Sequence, residues 1–322
     1  MNAPHRNFED LLQACKGLPA IAAAVAHPCD APSLGGAVEA ARAGLIRPLL
    51  VGPAARIRAV AAAAGLDIAP FEILDTPHSH ASADAAARLA REGRVQMLVK
   101  GSLHTEELMA AVVGAESGLR TARRISHCYL MDVPSLDHLL VISDAAINIV
   151  PALAHKVDIT QNAIDFALAL GFGEVRVAIL SANESVNPKI ASTVDAAALC
   201  KMADRGQITG GILDGPLALD NAISVEAARV KGLASPVAGR ANVLVVPDLE
   251  AGNLLAKSLS FLARAQAAGV VLGAKVPIAL TSRADSAAAR LVSCAAALLV
   301  AEAQRKAPPR FAYAPAPSPG AA

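Results

Sequence analysis

The sequence predicts an α/β protein with mostly parallel, doubly wound sheets. Short apolar, β-branched segments alternate along the chain with longer alanine-rich segments of helical character. This alternation is typical of βαβ units, in which a helix connects two parallel strands. The chain has 322 residues, which is more than one hydrophobic core usually serves. We therefore expect two doubly wound domains.

The first half of the chain shows the alternation most clearly. Apolar runs predict strands at residues 21–26, 48–51, 68–74 and 95–100. Alanine-rich runs predict helices at residues 36–43, 54–64, 81–92 and 105–113. Three arginines that follow, Arg120, Arg123 and Arg124, either contact a nucleotide phosphate or form a solvated basic run, and the second interpretation is favoured. Two apolar runs at residues 125–133 and 138–149, split by Pro134, predict an antiparallel hairpin or two adjacent strands.

The second half continues the pattern. A helix is predicted at residues 158–170, with Asp158 as its N-cap. Further strands are predicted at residues 175–180, 212–216, 244–246, 270–272 and 276–280. Further helices are predicted at residues 189–203, from residue 250 onward and at residues 286–306. The Pro/Ala-rich residues 307–322 predict a disordered tail.

Composition excludes several classes of function. The net charge is +1, aromatic residues make up 2% and tryptophan is absent, which argues against nucleic acid and anionic membranes as partners. No uninterrupted apolar run of about 18 residues predicts a membrane span, and no signal segment is recognised. We therefore expect a cytoplasmic protein. Five widely spaced cysteines without a CxxC pair predict reduced, mostly buried thiols and no zinc site.

Polar clusters follow four predicted strands in the second half. They are residues 181–184, Asp214 with Asp220, Asp248 with Asn253 and Lys257, and residues 282–285. In a parallel sheet, ligands bind beyond the carboxyl ends of the strands, so we expect these clusters to converge on one cleft. The sequence contains no GxGxxG fingerprint, P-loop, GxSxG elbow or HxxxH metal pair.

Three residues of the last cluster, and Lys257 of the cluster before it, each have a functional and a structural interpretation. The guanidinium of Arg283 suits phosphate oxygens, or it forms a surface ion pair with Asp285. Ser282 donates to a carbonyl or thiolate, or it caps the next helix. Asp285 acts as a general base, or it is an acid favoured in a first helical turn. Lys257 neutralises phosphate, or it extends from a helix face into solvent.

Several segments together resemble a known family. They are PDLEAGNLLAKSL, GVVLGAKVPIALTSRADS, ISDAAINIVP, VAILSANESVNPKI, ITGGILDGPLALDNAIS and LVKGSLHT. The chain is similar in these motifs, between residues 21 and 304, to the phosphate acetyl/butyryltransferases. The resemblance implies two α/β domains with the active site in the cleft between them, on a fold related to the isocitrate and isopropylmalate dehydrogenases. We expect one domain from residues 1–140 with 271–306, a second from residues 141–270, and a homodimer.

The resemblance also implies roles for individual residues. Ser282 and Arg283 match the serine that contacts the CoA thiol and the arginine that contacts the acyl phosphate. Ala289 stands where acetyl-specific members carry an aspartate that is proposed to deprotonate the CoA thiol. Ala111 stands where they carry an arginine. The Ser-Arg-Ala-Asp-Ser variant is similar to butyryltransferase-type members, in which Asp285 is the nearest carboxylate. We therefore expect a position nearer that branch.

The implied reaction is acyl-CoA plus phosphate giving acyl phosphate plus CoA, with acetyl or butyryl as the acyl group and without a covalent acyl-enzyme. CoA is a substrate, and no permanently bound cofactor or metal is expected. The catalytic candidates are Ser282, Arg283 and Asp285. The substrate-binding candidates are Asn253, Lys257, Asp248, Asp214, Ser181 and Lys100. Two alternatives stay open: a non-catalytic CoA-binding subunit, and a metal-dependent hydroxy-acid dehydrogenase that would use Asp214, Asp220 and Asp248.

Overall fold

The computed structural model describes residues 6–282 and 285–306, which form a mixed α/β fold around one large sheet. The strands of this part are β1 Ile21–Ala26, β2 Ile46–Gly52, β3 Ile73–Asp75, β4 Met97–Lys100, β5 Ser126–Asp132, β6 Leu140–Ser143, β7 Arg176–Leu180, β8 Ile212–Leu217, β9 Val243–Val245, β10 Gln266–Leu272 and β11 Ile278–Ala279. Its helices are α1 Phe8–Ala14, α2 Ala31–Arg42, α3 Ala54–Ala64, α4 Ser79–Arg91, α5 Thr105–Val113, α6 Leu153–Ala169, α7 Ala191–Asp204, α8 Leu219–Ile223, α9 Val225–Val230, α10 Leu249–Leu262 and α11 Ala287–Lys306.

The strands lie across the sheet in the order β3-β2-β1-β4-β11-β10-β5-β6-β9-β7-β8. Strands β1, β2, β3, β4 and β11 are parallel, whereas β10 is antiparallel to both neighbours. Strand β5 is antiparallel to β6, which runs parallel to β9, β7 and β8. Because the chain direction reverses, the carboxyl ends of β7, β8 and β9 lie at the edge opposite those of β1, β4 and β11.

Helices cover both faces of the sheet. On the first face, α1, α2, α3, α6, α7 and α11 pack over residues such as Leu130. On the second face, α4 and α5 pack with Leu98 and Leu280, and α8, α9 and α10 pack over Leu244. The two apolar clusters of the second face border each other at β5 and β10, where Tyr129 is partly exposed.

The antiparallel pair predicted around Pro134 is confirmed as β5 and β6. The second strand is shorter than predicted, because it ends at Ser143 rather than residue 149. The carboxylate of Asp144 accepts backbone N–H groups from residues 146, 147 and 148. Such a turn satisfies the backbone locally and directs the chain away from the sheet.

Helix α6 begins at Leu153, earlier than predicted. In its first turn, the ring of His155 accepts a hydrogen bond from the N–H of Ala152, the residue before the helix, at 3.3 Å. The prediction that Asp158 caps this helix is wrong. Asp158 lies inside the helix, and its carboxylate accepts from the N–H of Arg124 at 2.9 Å.

The division into two domains stays a prediction. One sheet runs through both expected parts without interruption, through the pairing of β5 with β6 and of β10 with β5 and β11. The tail expected at residues 307–322 lies outside the described residues. Helix α11 is long and apolar enough to cross a membrane by length and composition, with a mean hydropathy of 1.4. It packs against β10, α2 and α6, as a core helix does.

Candidate functional site

Strand β11 and Leu280 are followed by Thr281, Ser282, Asp285 and Ser286, the described residues before α11, which we call the β11–α11 loop. The N–H of Ser282 donates to Oδ2 of Asp285 at 2.6 Å, and the N–H of Asp285 donates to the carbonyl of Ser282 at 3.2 Å. Ser286 accepts from the N–H of Ala289 at 3.1 Å, so Ser286 rather than Ser282 caps α11. Arg283, the candidate for contacting the acyl phosphate, lies outside the described residues.

Two buried cations lie under this loop. Lys100, at the carboxyl end of β4, is 4% exposed and donates Nζ to the carbonyl of Thr281 at 3.3 Å. Arg290 of α11 is 6% exposed. It donates Nη1 to Oγ1 of Thr281 and Nη2 to the carbonyl of Ser282, both at 2.9 Å. The loop therefore rests on two positive side chains.

Sequence reasoning missed Arg290, because an arginine in an alanine-rich helix normally faces solvent. The helical spacing of Arg290 relative to apolar and small residues of α11 does indicate that it faces the interior. Arg290 lies one helical turn before Ser293 and Cys294, which belong to the buried face of α11.

Burial raises the pKa of the Asp285 carboxyl above its ordinary value. The N–H of Ser282 and the charges of Arg290 and Lys100 offset part of this effect. Burial also raises the pKa of Tyr129, and the charge of Asp285 raises it further. Asp285 therefore acts electrostatically on a side chain of β5, and the rise in its pKa makes its carboxylate a stronger base.

His127 lies beside Tyr129 on the same face of β5. The two rings meet edge to face, with centroids 4.4 Å apart. Burial lowers the pKa of His127 to about 3. Neither ring nitrogen has a hydrogen-bond partner within the described part of the chain. A Cβ at Gly269, which pairs with Tyr129, would lie 2.7 Å from Nε2 of His127. The His127 side chain is therefore tightly packed against β10 and uncharged at neutral pH.

Helix α10 carries three candidate residues, which have different environments. Asp248 caps the helix by accepting from the N–H of Ala251 at 2.8 Å. Asn253 donates Nδ2 to the carbonyl of Ala145 at 3.3 Å and so contacts the turn after β6. Lys257, one turn further along, is exposed.

Ser181 and Asp214 belong to the oppositely directed half of the sheet. Ser181 follows β7 and shares a hydrogen bond of 2.8 Å with Ser192, and Asp214 of β8 accepts from the N–H of Gly215 at 2.8 Å. Since β7 and β8 run opposite to β11, Ser181 lies at the edge opposite the β11–α11 loop. The expected convergence of all four clusters assumes a parallel sheet, and the reversal at β10 and β5 removes that assumption.

The aspartates required by the dehydrogenase alternative have separate partners. Asp220 pairs with Lys231 at 3.1 Å, Asp248 caps α10, and Asp214 accepts from Gly215. Within residues 6–282 and 285–306, no group of three His, Cys, Asp or Glu side chains is placed to hold a metal ion. The arrangement of the described carboxylates therefore does not favour this alternative.

The cysteines are free thiols, as predicted, and four of the five are buried. Cys294 borders a small buried cavity together with Lys100, Thr281 and Arg290. Burial raises the pKa of its thiol to about 12. A thiol with such a pKa stays protonated at neutral pH and is a poor nucleophile.

A cavity of about 430 Å³ lies between α6 and the far end of α11, lined by Arg123, Asp165 and Val300 among others. Arg123 is 6% exposed and donates Nη1 to Asp165 at 2.9 Å and to Asn162 at 3.2 Å. Its interpretation as part of a solvated basic run is therefore wrong. This cavity and the β11–α11 loop lie at opposite ends of α11.

Comparison with known proteins identifies relatives of this chain. Residues 79–298 match the family described as phosphate acetyl/butaryl transferase. A phosphate acetyltransferase of Rhizobium meliloti is 62% identical over 300 residues, covering 93% of this chain and 95% of that protein. A phosphate butyryltransferase of Clostridium beijerinckii is 40% identical over 296 residues, covering 92% and 98%. The solved structure of a branched-chain phosphotransacylase from Enterococcus faecalis has a TM-score of 0.75 at 29% identity, covering 87% and 99%.

These similarities confirm the family that the motifs predicted. The order of identities, 62% to the acetyltransferase and 40% to the butyryltransferase, runs against the expected position nearer the butyryltransferase-type branch. The relation to the isocitrate dehydrogenase fold stays a prediction. The matched motifs, the family match over residues 79–298 and the similarity over nearly the whole chain show that this chain belongs to the phosphate acetyl/butyryltransferase family.

Proposed function

We propose that this chain transfers an acetyl group reversibly between coenzyme A and inorganic phosphate: acetyl-CoA + phosphate = acetyl phosphate + CoA. The relative at 62% identity is named a phosphate acetyltransferase, which favours acetyl over butyryl. The observation that carries the proposal is the turn of Ser282 and Asp285 over Lys100 and Arg290. It combines a half-buried carboxylate with nearby positive charge, as transfer between a thiol and phosphate requires.

The reaction needs no covalent enzyme intermediate. Towards acetyl phosphate, an oxygen of hydrogen phosphate attacks the carbonyl carbon of acetyl-CoA and the C–S bond breaks. The proton that the phosphate gives up passes by way of the Asp285 carboxyl to the departing sulfur. In reverse, Asp285 takes the thiol proton while sulfur attacks the carbonyl of acetyl phosphate and phosphate leaves. Direct transfer fits the protonated thiol of Cys294, which is a poor nucleophile.

The residue roles combine the family resemblance with the geometry. We assign the phosphate to Arg283, whose forked donors match a pair of oxygens, and the thiol or carbonyl to Ser282. Lys100 acts from beneath the loop through Thr281. Of the remaining candidates, Lys257 on α10 is retained for the CoA side of the site, whereas Asn253 contacts the turn after β6, at the opposite ends of the strands, and is not. Three others have no substrate role in this proposal: Asp248, Asp214 and Ser181.

CoA is a substrate in this proposal and not a resident cofactor, and the protein acts in the cytoplasm. We further propose a homodimer formed through α10. Leu254, Phe261 and Leu262 on this helix are 67%, 78% and 84% exposed, and Ile149 and Val150 beside its first turn are 70% and 82% exposed. Exposed apolar groups of this size along one helix are typical of a protein interface. A second copy of the same helix would cover them.

The direct test is phosphate-dependent CoA release from acyl-CoAs of two to eight carbons, followed with a thiol reagent. We expect release that requires phosphate, with the highest kcat/KM for acetyl-CoA. A preference for butyryl-CoA would contradict the acetyl assignment. Tight CoA binding without phosphate-dependent release from any acyl-CoA would overturn the catalytic proposal and favour a CoA-binding subunit. Reduction of NAD(P) by a hydroxy acid with a divalent metal would favour the dehydrogenase.

A further inference from the structure

We propose that Arg290 is a positioning residue for acyl transfer: from the first turn of α11 it holds the β11–α11 loop and so fixes Ser282 and Asp285 relative to each other. This inference rests on the proposed function, because it assigns Arg290 a part in the same site. The family resemblance implies no role for this residue.

The contacts of Arg290 join the two residues at the start of the loop. One guanidinium nitrogen donates to the hydroxyl of Thr281, and another donates to the carbonyl of Ser282, both at 2.9 Å. That same carbonyl accepts from the N–H of Asp285, and the carboxylate of Asp285 accepts from the N–H of Ser282. The planar guanidinium therefore fixes the backbone of a turn on which the position of Asp285 depends.

The surroundings leave Arg290 little freedom to move. The side chain is 6% exposed, and α2 covers its stem at Gly36. Its Nε is buried without a hydrogen-bond partner within the described part of the chain. A buried polar atom without a partner costs stability. Such a cost is expected where the charged group serves a purpose other than packing.

Arg290 also contributes charge at Asp285. Among the described residues, the charges of Arg290 on α11 and Lys100 on β4 both lower the pKa of this carboxylate. Asp285 in turn raises the pKa of Tyr129 on β5. Removing the charge of Arg290 raises the pKa of Asp285 further, so the acid limb of the pH–rate profile moves to higher pH. A purely structural role would not shift this limb.

The test compares R290Q and R290K with R123Q, which removes a buried arginine at the other end of α11. In R290Q we expect kcat to fall about 100-fold, as for a misplaced catalytic group, with the acid limb at higher pH. R290K keeps the positive charge but lacks the paired N–H donors of the guanidinium. We therefore expect kcat to fall about tenfold, with the acid limb of the pH–rate profile unchanged. R123Q should lower the melting temperature and keep the wild-type kcat and profile.

A folded R290Q with wild-type kcat and pH profile would overturn the proposal, and so would a wild-type kcat in R290K even if R290Q does not fold. If the wild-type protein shows no phosphate-dependent CoA release, the proposed function fails, and hydrogen exchange decides the positioning role. Faster exchange of the Ser282 and Asp285 amides in R290Q than in R123Q supports it. Equal exchange overturns it.

Discussion

Gly36 of α2 lies against the side chain of Arg290. A Cβ at position 36 would stand 2.8 Å from Cδ and 3.1 Å from Cβ of Arg290. The arginine cannot easily withdraw, because its guanidinium is hydrogen-bonded to Thr281 and Ser282. Glycine inside a helix costs roughly 1 kcal/mol relative to alanine. The missing side chain at this position therefore makes room for Arg290.

This contact predicts that the effect of a substitution at position 36 on stability depends on the residue at position 290. Gly36→Ala should lower the free energy of unfolding by about 1–3 kcal/mol, the usual cost of overpacking. In an Arg290→Ala background the 2.8 Å contact with Cδ is gone and only the 3.1 Å approach to Cβ remains. Gly36→Ala should therefore lower the free energy of unfolding by less in that background, because helix propensity offsets part of the remaining strain. Urea unfolding of the four proteins in a double-mutant cycle measures the difference. An equal effect of Gly36→Ala in both backgrounds would refute the contact.

Arg283 provides a test of phosphate recognition that does not depend on its placement. Arg283→Ala should abolish acetyl phosphate formation, and Arg283→Lys should restore little of it because an ammonium cannot bind two oxygens as a fork. Steady-state kinetics with varied phosphate, with circular dichroism as a control for folding, measures both. Near-normal turnover in Arg283→Ala would remove this residue from the site.

His127 makes stability depend on pH. Its pKa of about 3 in the folded protein lies below the ordinary 6.5. The unfolded chain therefore binds the extra proton first, and stability is lost as the pH falls below 6.5. This loss amounts to about 1.4 kcal/mol per pH unit at most. His127→Leu should flatten the dependence between pH 4 and 6.5, measured by urea unfolding, whereas His80→Gln, at an exposed position, should not. Equal slopes in wild type and His127→Leu would contradict the assignment.

The proposed dimer predicts an effect of charge on α10. Phe261→Asp should convert the dimer to a monomer, because it places a carboxylate in an apolar interface. Size-exclusion chromatography with light scattering measures the mass. Val113→Asp, at a 44% exposed apolar position on α5, is the matched control and should stay dimeric. A wild-type protein that is monomeric at micromolar concentration would refute the interface.

Much of the local structure could be predicted from the sequence. The predicted bounds of β1, α3 and α5 agree with those of Ile21–Ala26, Ala54–Ala64 and Thr105–Val113. Periodicity is a local property, so it identifies such elements well. The place of Ser282 and Asp285 after an apolar strand also predicts a role for both, and the structure joins them by hydrogen bonds.

Features that depend on distant contacts could not be predicted in this way. The reversal of chain direction results from the pairing of β10 with β5 and β11, which no local pattern encodes. The side of α11 that Arg290 faces depends on Gly36, far away in sequence. The early end of β6 depends on one carboxylate, that of Asp144, which accepts three backbone N–H groups.

The central claim is that Asp285 acts as the general base of an acetyl transfer between CoA and phosphate. The most direct measurement is the pH–rate profile of wild type and Asp285→Asn with acetyl phosphate and CoA. The asparagine oxygen still accepts from the N–H of Ser282, so the turn should persist and the melting temperature should change little. We expect kcat to fall by about 10²–10⁴-fold, with loss of the acid limb. A wild-type kcat with the acid limb retained in Asp285→Asn would contradict the claim.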